Sequence, residues 1–294
     1  MTARTFCVAA LLIAGNIISS GQIRKECLLY PEGIPDNPIS FTEPESYVDS
    51  IVKPGSLSAE NRVFSFVTEP SYVLYPAPDS VNTGIGLIIF PGGGLVNVWM
   101  DKEGSDLAIW LSERGINCMV VKYRTNARNS DGKFKYSMDL NKDVAVMDAR
   151  TSMLRMKELA DSLHIDKNRI GVMGFSAGGW LTEKFVFRYY EGDYEWQPSF
   201  AGLIYYGNSL KVIKKLDHKE KLPPFFMAAS KSDRKLPLNR ILPYLTEILS
   251  EVENSELHIY AKGPHGFGLA YDDGHSVELW KESFLGWMLD INKI

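Results

Sequence analysis

Short apolar runs recur along the chain and alternate with segments of helical periodicity. Runs of about four to eight apolar residues, bounded by turn-forming residues, are typical of strands that are buried on both faces. Six such runs occupy residues 86–90, 118–123, 169–173, 201–206, 225–229 and 257–261. Two earlier segments, 63–67 and 72–75, alternate between apolar and polar residues and are punctuated by prolines, so they are predicted to be strands as well.

Apolar residues at helical spacing fill the intervals between these runs. They predict helices over 104–114, 139–164, 177–190 and 238–252, with a last helix through Trp280, Leu285 and Trp287. Residues 28–45 contain five prolines or glycines and are expected to form an irregular arm. Strands that alternate with helices favour an α/β fold, in which a mostly parallel sheet is covered by helices on both faces.

Composition agrees with one large domain. The chain has 294 residues, with 32 Lys plus Arg against 36 Asp plus Glu and a net charge of −4. A slightly acidic chain has no global attraction for nucleic acid, and the lysines of 211–221 are expected to lie on a solvated face. We find no internal repeat and no central linker, and the sequence carries no signal for an oligomeric state. Residues 22–294 are therefore predicted to form a single domain.

The N-terminus has the pattern of an export signal. Arg4 is followed by an apolar stretch over 6–18 and by the small residues Ser19, Ser20 and Gly21. This stretch is too short to span a bilayer comfortably as a permanent helix. Neither Cys7 nor Cys27 lies in a convincing lipobox. We therefore predict a signal peptide over 1–21, export to the periplasm or the extracellular space, and no membrane insertion of the mature chain.

Two cysteines, Cys27 and Cys118, remain after removal of the predicted signal. Cys118 lies in an apolar run and is interpreted as a small buried hydrophobic residue. A disulfide between the two is possible in an oxidising compartment, but two cysteines do not form a disulfide framework.

The strongest candidate for chemistry is Ser176, in the string Gly-Phe-Ser-Ala-Gly at 174–178. The string follows a predicted strand and opens a predicted helix, which is the setting of a nucleophile elbow. The five-residue pattern alone is weak evidence, since a glycine-rich turn can carry a serine with no role. Its context favours a nucleophile whose neighbour Ala177 offers a backbone N–H to an oxyanion.

Ligands of such sheets lie at the carboxyl ends of the strands, and three further loops at this edge carry matching groups. Pro91-Gly92-Gly93-Gly94 follows the strand 86–90, and the N–H groups of Gly93 and Gly94 are candidate oxyanion donors. A flexible turn or a phosphate-binding nest is the alternative. No Lys-Ser or Lys-Thr follows the glycines, which excludes a P-loop.

Asp233 and His265 supply the remaining groups of a serine triad. Asp233 follows the strand 225–229 and could orient a histidine, although a lone aspartate in a turn is often only a surface residue. His265 lies in a glycine-rich loop after the last predicted strand and could act as general base and then general acid. His275 is the one serious rival, since His164, His218 and His258 lie at less suitable places. The order Ser, Asp, His along the chain is that of hydrolases with a nucleophile elbow.

With these residues the chain resembles the α/β-hydrolase fold, and more narrowly secreted bacterial esterases such as acetyl xylan esterases and related carbohydrate esterases. The similarity extends over most of the mature chain. It rests chiefly on Gly-Phe-Ser-Ala-Gly-Gly at 174–179 and His-Gly-Phe-Gly at 265–268, with support from Leu29-Tyr30-Pro31, Tyr123-Arg124, Asp143 and Asn168-Arg169-Ile170-Gly171-Val172. The resemblance implies hydrolysis of small acyl esters, commonly acetyl groups on plant polysaccharides, with no cofactor and no metal.

Two departures from this group concern the site. Many relatives carry a histidine where this chain has Pro91, which favours the polysaccharide-esterase side of the group. The acid loop often holds paired aspartates, whereas Ser232 precedes the single Asp233 here. Only about seventeen residues, 207–223, separate two core strands where lipases often insert a lid, so we expect no large lid domain and an open site for short acyl groups. Trp99, Trp180 or Tyr206 could line that site, although each is more often a core residue.

Two other functions fit parts of this pattern. A serine peptidase of the prolyl-oligopeptidase type has the same triad order, but that class usually adds a propeller domain for which this chain has no room. A non-catalytic carbohydrate-binding or scaffolding protein could keep the fold, but it would be expected to lack one of the three triad residues.

Overall fold

The computed structural model of the chain describes residues 25–190, 197–208, 213, 216, 219–270 and 274–293. Its strands are β1 (Glu26–Leu28), β2 (Ser46–Asp49), β3 (Arg62–Ser65), β4 (Ser71–Tyr75), β5 (Ile85–Phe90), β6 (Asn97–Trp99), β7 (Ile116–Lys122), β8 (Ile170–Phe175), β9 (Ala201–Ile204), β10 (Phe225–Ser230) and β11 (Glu256–Tyr260). Its helices are α1 (Asp106–Ser112), α2 (Met138–Leu159), α3 (Ala177–Tyr190), α4 (Leu238–Glu251) and α5 (Trp280–Ile291).

Eight strands form the central sheet, in the order β1-β4-β7-β5-β8-β9-β10-β11. The pairs β1–β4 and β4–β7 are antiparallel, and all other neighbours are parallel. The mostly parallel sheet predicted from the apolar runs is therefore confirmed. A smaller antiparallel sheet, in the order β2-β3-β6, lies beside it.

Burial explains why the central strands read as continuous apolar runs. Every residue of β5, β7, β8 and β10 is buried, whereas the edge strand β11 alternates between exposed and half-buried residues. The helices form two groups on the sheet. Lys281 of α5 lies over the ring of Trp110 of α1 at 5.8 Å, while Tyr244 of α4 donates a hydrogen bond to Glu183 of α3, on which α2 also packs.

Three strands and one helix start differ from the prediction. β1, β2 and β6 were not predicted, because each is only three or four residues long and is defined by its pairing with strands elsewhere in the chain. The helix expected over 104–114 begins earlier, with a π-helical turn at Asp101–Ser105 that leads into α1. The long helix ends at Leu159 rather than at residue 164.

Some predictions fall outside the described residues. They are the signal peptide over 1–21, Cys7 and eight of the seventeen residues of the connection 207–223. The single domain over 22–294 also stays a prediction. In the described part of the chain no helix is both long enough and apolar enough to cross a membrane.

A Cys27–Cys118 disulfide is excluded by the sheet register. β4 lies between the strands that carry these cysteines, and neighbouring strands are about 4.8 Å apart. Cys27 is opposite Tyr72, which is opposite Val121, so Cys118 lies three residues further along β7. This separation exceeds the roughly 7 Å between Cα atoms that a disulfide can bridge.

A buried ion pair ties the end of β7 to helix α2. The Arg124 guanidinium lies 2.7 Å from Oδ1 of Asp148, and the Arg124 backbone N–H donates to Oδ2 of the same carboxylate at 2.9 Å. Tyr30 of the N-terminal arm donates to Asp148, and Arg124 donates to Asn37, so the arm is held by the same pair. Asp143, the acidic residue of this helix singled out in the sequence, is exposed instead.

Removal of either partner is expected to destabilise the fold strongly. Asp148→Ala leaves a buried guanidinium without its counter-charge, which should lower the free energy of unfolding by about 3 to 5 kcal/mol. Asp143→Ala, on the same helix but exposed, should change it by less than about 0.5 kcal/mol. Urea denaturation followed by circular dichroism measures both, and equal stabilities of the two variants would contradict the role of the pair.

Candidate active site

Ser176 lies at a sharp turn between β8 and α3. Its φ of 50° is in the left-handed region, which a serine adopts only where the surrounding structure enforces it. The enforcement comes from close packing. A β-carbon at Gly178 would lie 1.9 Å from the carbonyl oxygen of Phe90, and one at Gly174 would lie 2.0 Å from the carbonyl oxygen of Gly178. Strand and helix therefore approach as a nucleophile elbow requires.

The structure brings Ser176, His265 and Asp233 into one hydrogen-bonded line. Ser176 Oγ lies 2.8 Å from His265 Nε2, and His265 Nδ1 lies 2.7 Å from Asp233 Oδ2. The Asp233 side chain is 3% exposed and that of His265 is 13% exposed, so the line runs from the interior towards the surface. This geometry lets the imidazole accept the hydroxyl proton while the carboxylate fixes the opposite ring nitrogen.

The loop that carries Asp233 holds its carboxylate in one orientation. Oδ1 accepts the backbone N–H groups of Lys235 and Leu236 at 2.8 and 3.0 Å, which leaves Oδ2 for the histidine. Ser232, which stands where an aspartate pair was expected, has its own contact. Its hydroxyl donates to the carbonyl of Gly263 and accepts the N–H of Gly263, both at 3.0 Å. The serine thereby joins the acid loop to the histidine loop.

The rival histidines lie elsewhere or have other partners. His258, on β11, lies 2.9 Å from Glu256 and stacks on Phe226. His275 precedes a short 3₁₀ turn, and His164 lies in the turn after α2. His218 is outside the described residues. Among the described histidines, only His265 bridges Ser176 and Asp233.

The glycine loop after β5 lies against the elbow. A β-carbon at Gly92 would lie 3.1 Å from Cβ of Ser176. The carbonyl of Gly92 accepts the N–H of Trp99, and the carbonyl of Gly93 accepts the N–H of Asn97, both at 3.0 Å. These hydrogen bonds hold both carbonyls in place, and φ is 139° at Gly93 and 64° at Gly94. Ala177 begins α3, so its N–H is one of the donors that a helix start leaves without a partner inside the helix.

Sequence reasoning missed a buried glutamate beneath this loop. Glu103 lies in the π-helical turn before α1, where its Oε2 accepts the N–H of Gly92 and its Oε1 accepts the hydroxyl of Tyr205, both at 2.8 Å. The ring of Tyr205 contacts the His265 ring edge-on, with 5.2 Å between centroids. No local motif marks either residue, because a single glutamate before a helix has no distinctive spacing.

Other residues considered from the sequence have structural contacts. Tyr206 is buried, and its hydroxyl donates to Glu183 at 2.9 Å, so it belongs to the interior. Trp99 packs near the ammonium of Lys102, and Trp180 is half-buried on α3. In the described ranges, no group of three or more His, Cys, Asp or Glu side chains is placed to hold a metal ion.

Comparison with known proteins concerns the fold and the overall sequence. No family model matches the chain. An acetylxylan esterase from Xylanibacter ruminicola is 25% identical over 216 residues, which cover 63% of this chain and 42% of that relative. The match thus spans less than half of the relative's length.

Solved structures give the same fold. A crystal structure of an acetyl ester-xyloside bifunctional hydrolase from Caldicellulosiruptor lactoaceticus has a TM-score of 0.65 at 23% identity, and the match covers 94% of this chain and all of that one. An esterase from Thermogutta terrifontis has a TM-score of 0.55 at 18% identity, over 81% of this chain and 93% of that one. The chain has the α/β-hydrolase fold, and the resemblance to acetyl xylan esterases indicated by its motifs is confirmed.

Proposed function

We propose that this protein is an exported serine esterase that removes short acyl groups, chiefly acetyl, from plant polysaccharides or oligosaccharides. The observation that carries the proposal is the hydrogen-bonded line from Asp233 through His265 to Ser176, beside a glycine loop whose carbonyls at Gly92 and Gly93 accept backbone hydrogen bonds. The chemistry needs only these side chains and backbone donors, without a cofactor.

The acylation step uses His265 first as a base and then as an acid. The imidazole Nε2 takes the proton of Ser176 as Oγ bonds to the acyl carbon. The negative charge that develops on the carbonyl oxygen is held by the N–H of Ala177 and that of Gly93 or Gly94. When the tetrahedral species collapses, the bond from carbon to the sugar oxygen breaks, and His265 gives its proton to the departing alcohol.

Deacylation repeats these steps with water. Water gives a proton to His265 and attacks the acyl-serine, and the same donors hold the second oxyanion. Ser176 then recovers the proton as the carboxylic acid leaves. Asp233 stays ionised throughout and stabilises the imidazolium formed in each half.

The choice of substrate rests on three observations. The relative and one structural neighbour are named for acetyl ester or acetylxylan hydrolysis. The connection 207–223 is too short for the lid that many lipases insert there. The export pattern over 1–21 would place the enzyme where plant polysaccharides are found.

Loss of the nucleophile or base should abolish turnover. Ser176→Ala and His265→Ala are expected to lower kcat/KM for p-nitrophenyl acetate by roughly 10⁴-fold or more, because triad members act as a unit. His275→Ala is the matched control and should remain within about threefold of the wild type. Near-wild-type hydrolysis by Ser176→Ala at equal thermal stability would refute the mechanism.

The glycine loop offers a second matched pair. In Gly93→Ala the added carbon would lie 2.0 Å from the Asn97 carbonyl oxygen, so the loop must move. We expect kcat for p-nitrophenyl acetate to fall by about 10²-fold, the usual effect of losing one oxyanion donor. Gly94→Ala has open space around its added carbon and should cost only about 1 kcal/mol of stability at its positive φ. Wild-type kcat in Gly93→Ala would show that the position of Gly93 is unimportant.

Substrate preference can be measured directly by comparing esters of different acyl length. Acetyl esters of p-nitrophenol should be turned over faster than decanoyl esters, and acetate should be released from acetylated xylan, pectin or mannan by the wild type but not by Ser176→Ala. Faster hydrolysis of the decanoyl ester would indicate a lipase-type pocket. Cleavage of a peptide substrate instead of these esters would favour the peptidase.

A further inference from the structure

The carboxylate of Glu103 takes no part in the proposed reaction. It lies at the centre of the loops whose groups that reaction uses. It is buried, and burying a carboxylate without partners is costly. Its Oε2 accepts the N–H of Gly92, and its Oε1 accepts the hydroxyl of Tyr205. A β-carbon at Gly266, next to His265, would lie 3.4 Å from Oε1. One carboxylate therefore contacts the glycine loop and lies close to the histidine loop.

Tyr205 extends this contact to the histidine loop. It follows β9 with a φ of 38°, a left-handed conformation that must be stabilised by its surroundings, and its N–H donates to the carbonyl of Ala228 at 2.8 Å. The hydroxyl donates to Oε1 of Glu103 at 2.8 Å. The ring packs edge-on against His265 and Phe267. A shift of Tyr205 would thus move the imidazole.

Charge adds to the geometry. Burial raises the pKa of the Glu103 carboxyl above its ordinary value, while the Tyr205 hydroxyl, the Lys102 ammonium, the Gly92 N–H and His265 favour its ionised form. Burial and the charge of Glu103 raise the pKa of Tyr205, which keeps that hydroxyl protonated as a donor. Besides Glu103, the groups near His265 include Ser176, Asp233 and Tyr205, and the Lys102 ammonium would lie 3.8 Å from a β-carbon at Gly266.

We propose that Glu103 is a positioning residue for the esterase reaction: it fixes the oxyanion loop through Gly92 and the general base through Tyr205. This role rests on the proposed function. It predicts a loss in kcat rather than in KM, because the interactions concerned act on the transition state.

The test compares Glu103→Gln with Glu183→Gln and the wild type. Glu183 is also buried and accepts two tyrosine hydroxyls, from Tyr206 at 2.9 Å and Tyr244 at 2.6 Å, so it matches Glu103 in burial and in partners away from the triad. Each protein is assayed with p-nitrophenyl acetate from pH 5 to 9, labelled with a fluorophosphonate, and melted to check its fold. Tyr205→Phe, which removes only the bridging hydroxyl, is the second variant.

The expected result has two parts. Glu103→Gln loses about tenfold or more in kcat with KM within about threefold, and Tyr205→Phe loses kcat in the same direction. Glu183→Gln keeps its kcat, whatever its stability.

Several results would overturn the proposal. They are a kcat within threefold of the wild type in Glu103→Gln, a rise in KM that accounts for the whole loss in kcat/KM, or an equal loss of kcat in Glu183→Gln at equal stability. If Glu103→Gln fails to fold, Tyr205→Phe decides by the same kcat criterion. An inactive wild type whose Ser176 does not label would instead refute the esterase function, so the two failures are distinguishable.

Discussion

The contact between Gly178 and the end of β5 determines how the loops of the candidate site meet. With no side chain at residue 178, helix α3 approaches until its backbone lies against the carbonyl of Phe90. Phe90 is paired with Gly174 in the sheet, so the elbow and the glycine loop leave neighbouring strands at the same level. A single methyl group at residue 178 would separate them. The position of Ser176 beside Gly92 thus follows from packing density, before any hydrogen bond of the triad is considered.

The acid and the histidine reach the serine by a longer route, across the parallel half of the sheet. Asp233 and His265 follow β10 and β11, which lie two and three strands away from β8. Loops from such distant strands need independent support, and each has it. The Asp233 carboxylate is held by backbone N–H groups of its own turn, and Ser232 joins the two loops through Gly263. The serine that departs from the paired-aspartate pattern therefore has a structural function of its own.

The contrast between Ser176 and Glu103 shows which parts of the site could be predicted from the sequence. Ser176 and Asp233 follow strands that are buried throughout, and His265 follows the edge strand β11. All three strands were predicted from apolar runs, so the shared edge of these residues could be inferred from local patterns. Glu103 acts through Gly92, eleven residues away, and through Tyr205, which is 102 residues away. Such contacts depend on the folded sheet and leave no periodic trace. The same reason applies to β1, β2 and β6, because these short segments are strands only through their pairing with other strands.

Three buried carboxylates in this fold are stabilised in the same way. Glu103, Asp148 and Glu183 are each costly to desolvate, and each is satisfied by donors from elements far apart in the chain. Such a group specifies geometry because any displacement of its donors leaves a charge unpaired in the interior. Asp148 uses an arginine and holds the arm to α2, while Glu183 uses tyrosines and joins α3 to α4. Glu103 differs in that its donors belong to the candidate site. Burying this carboxylate is costly, but it would fix the relative position of two loops on which the proposed chemistry depends.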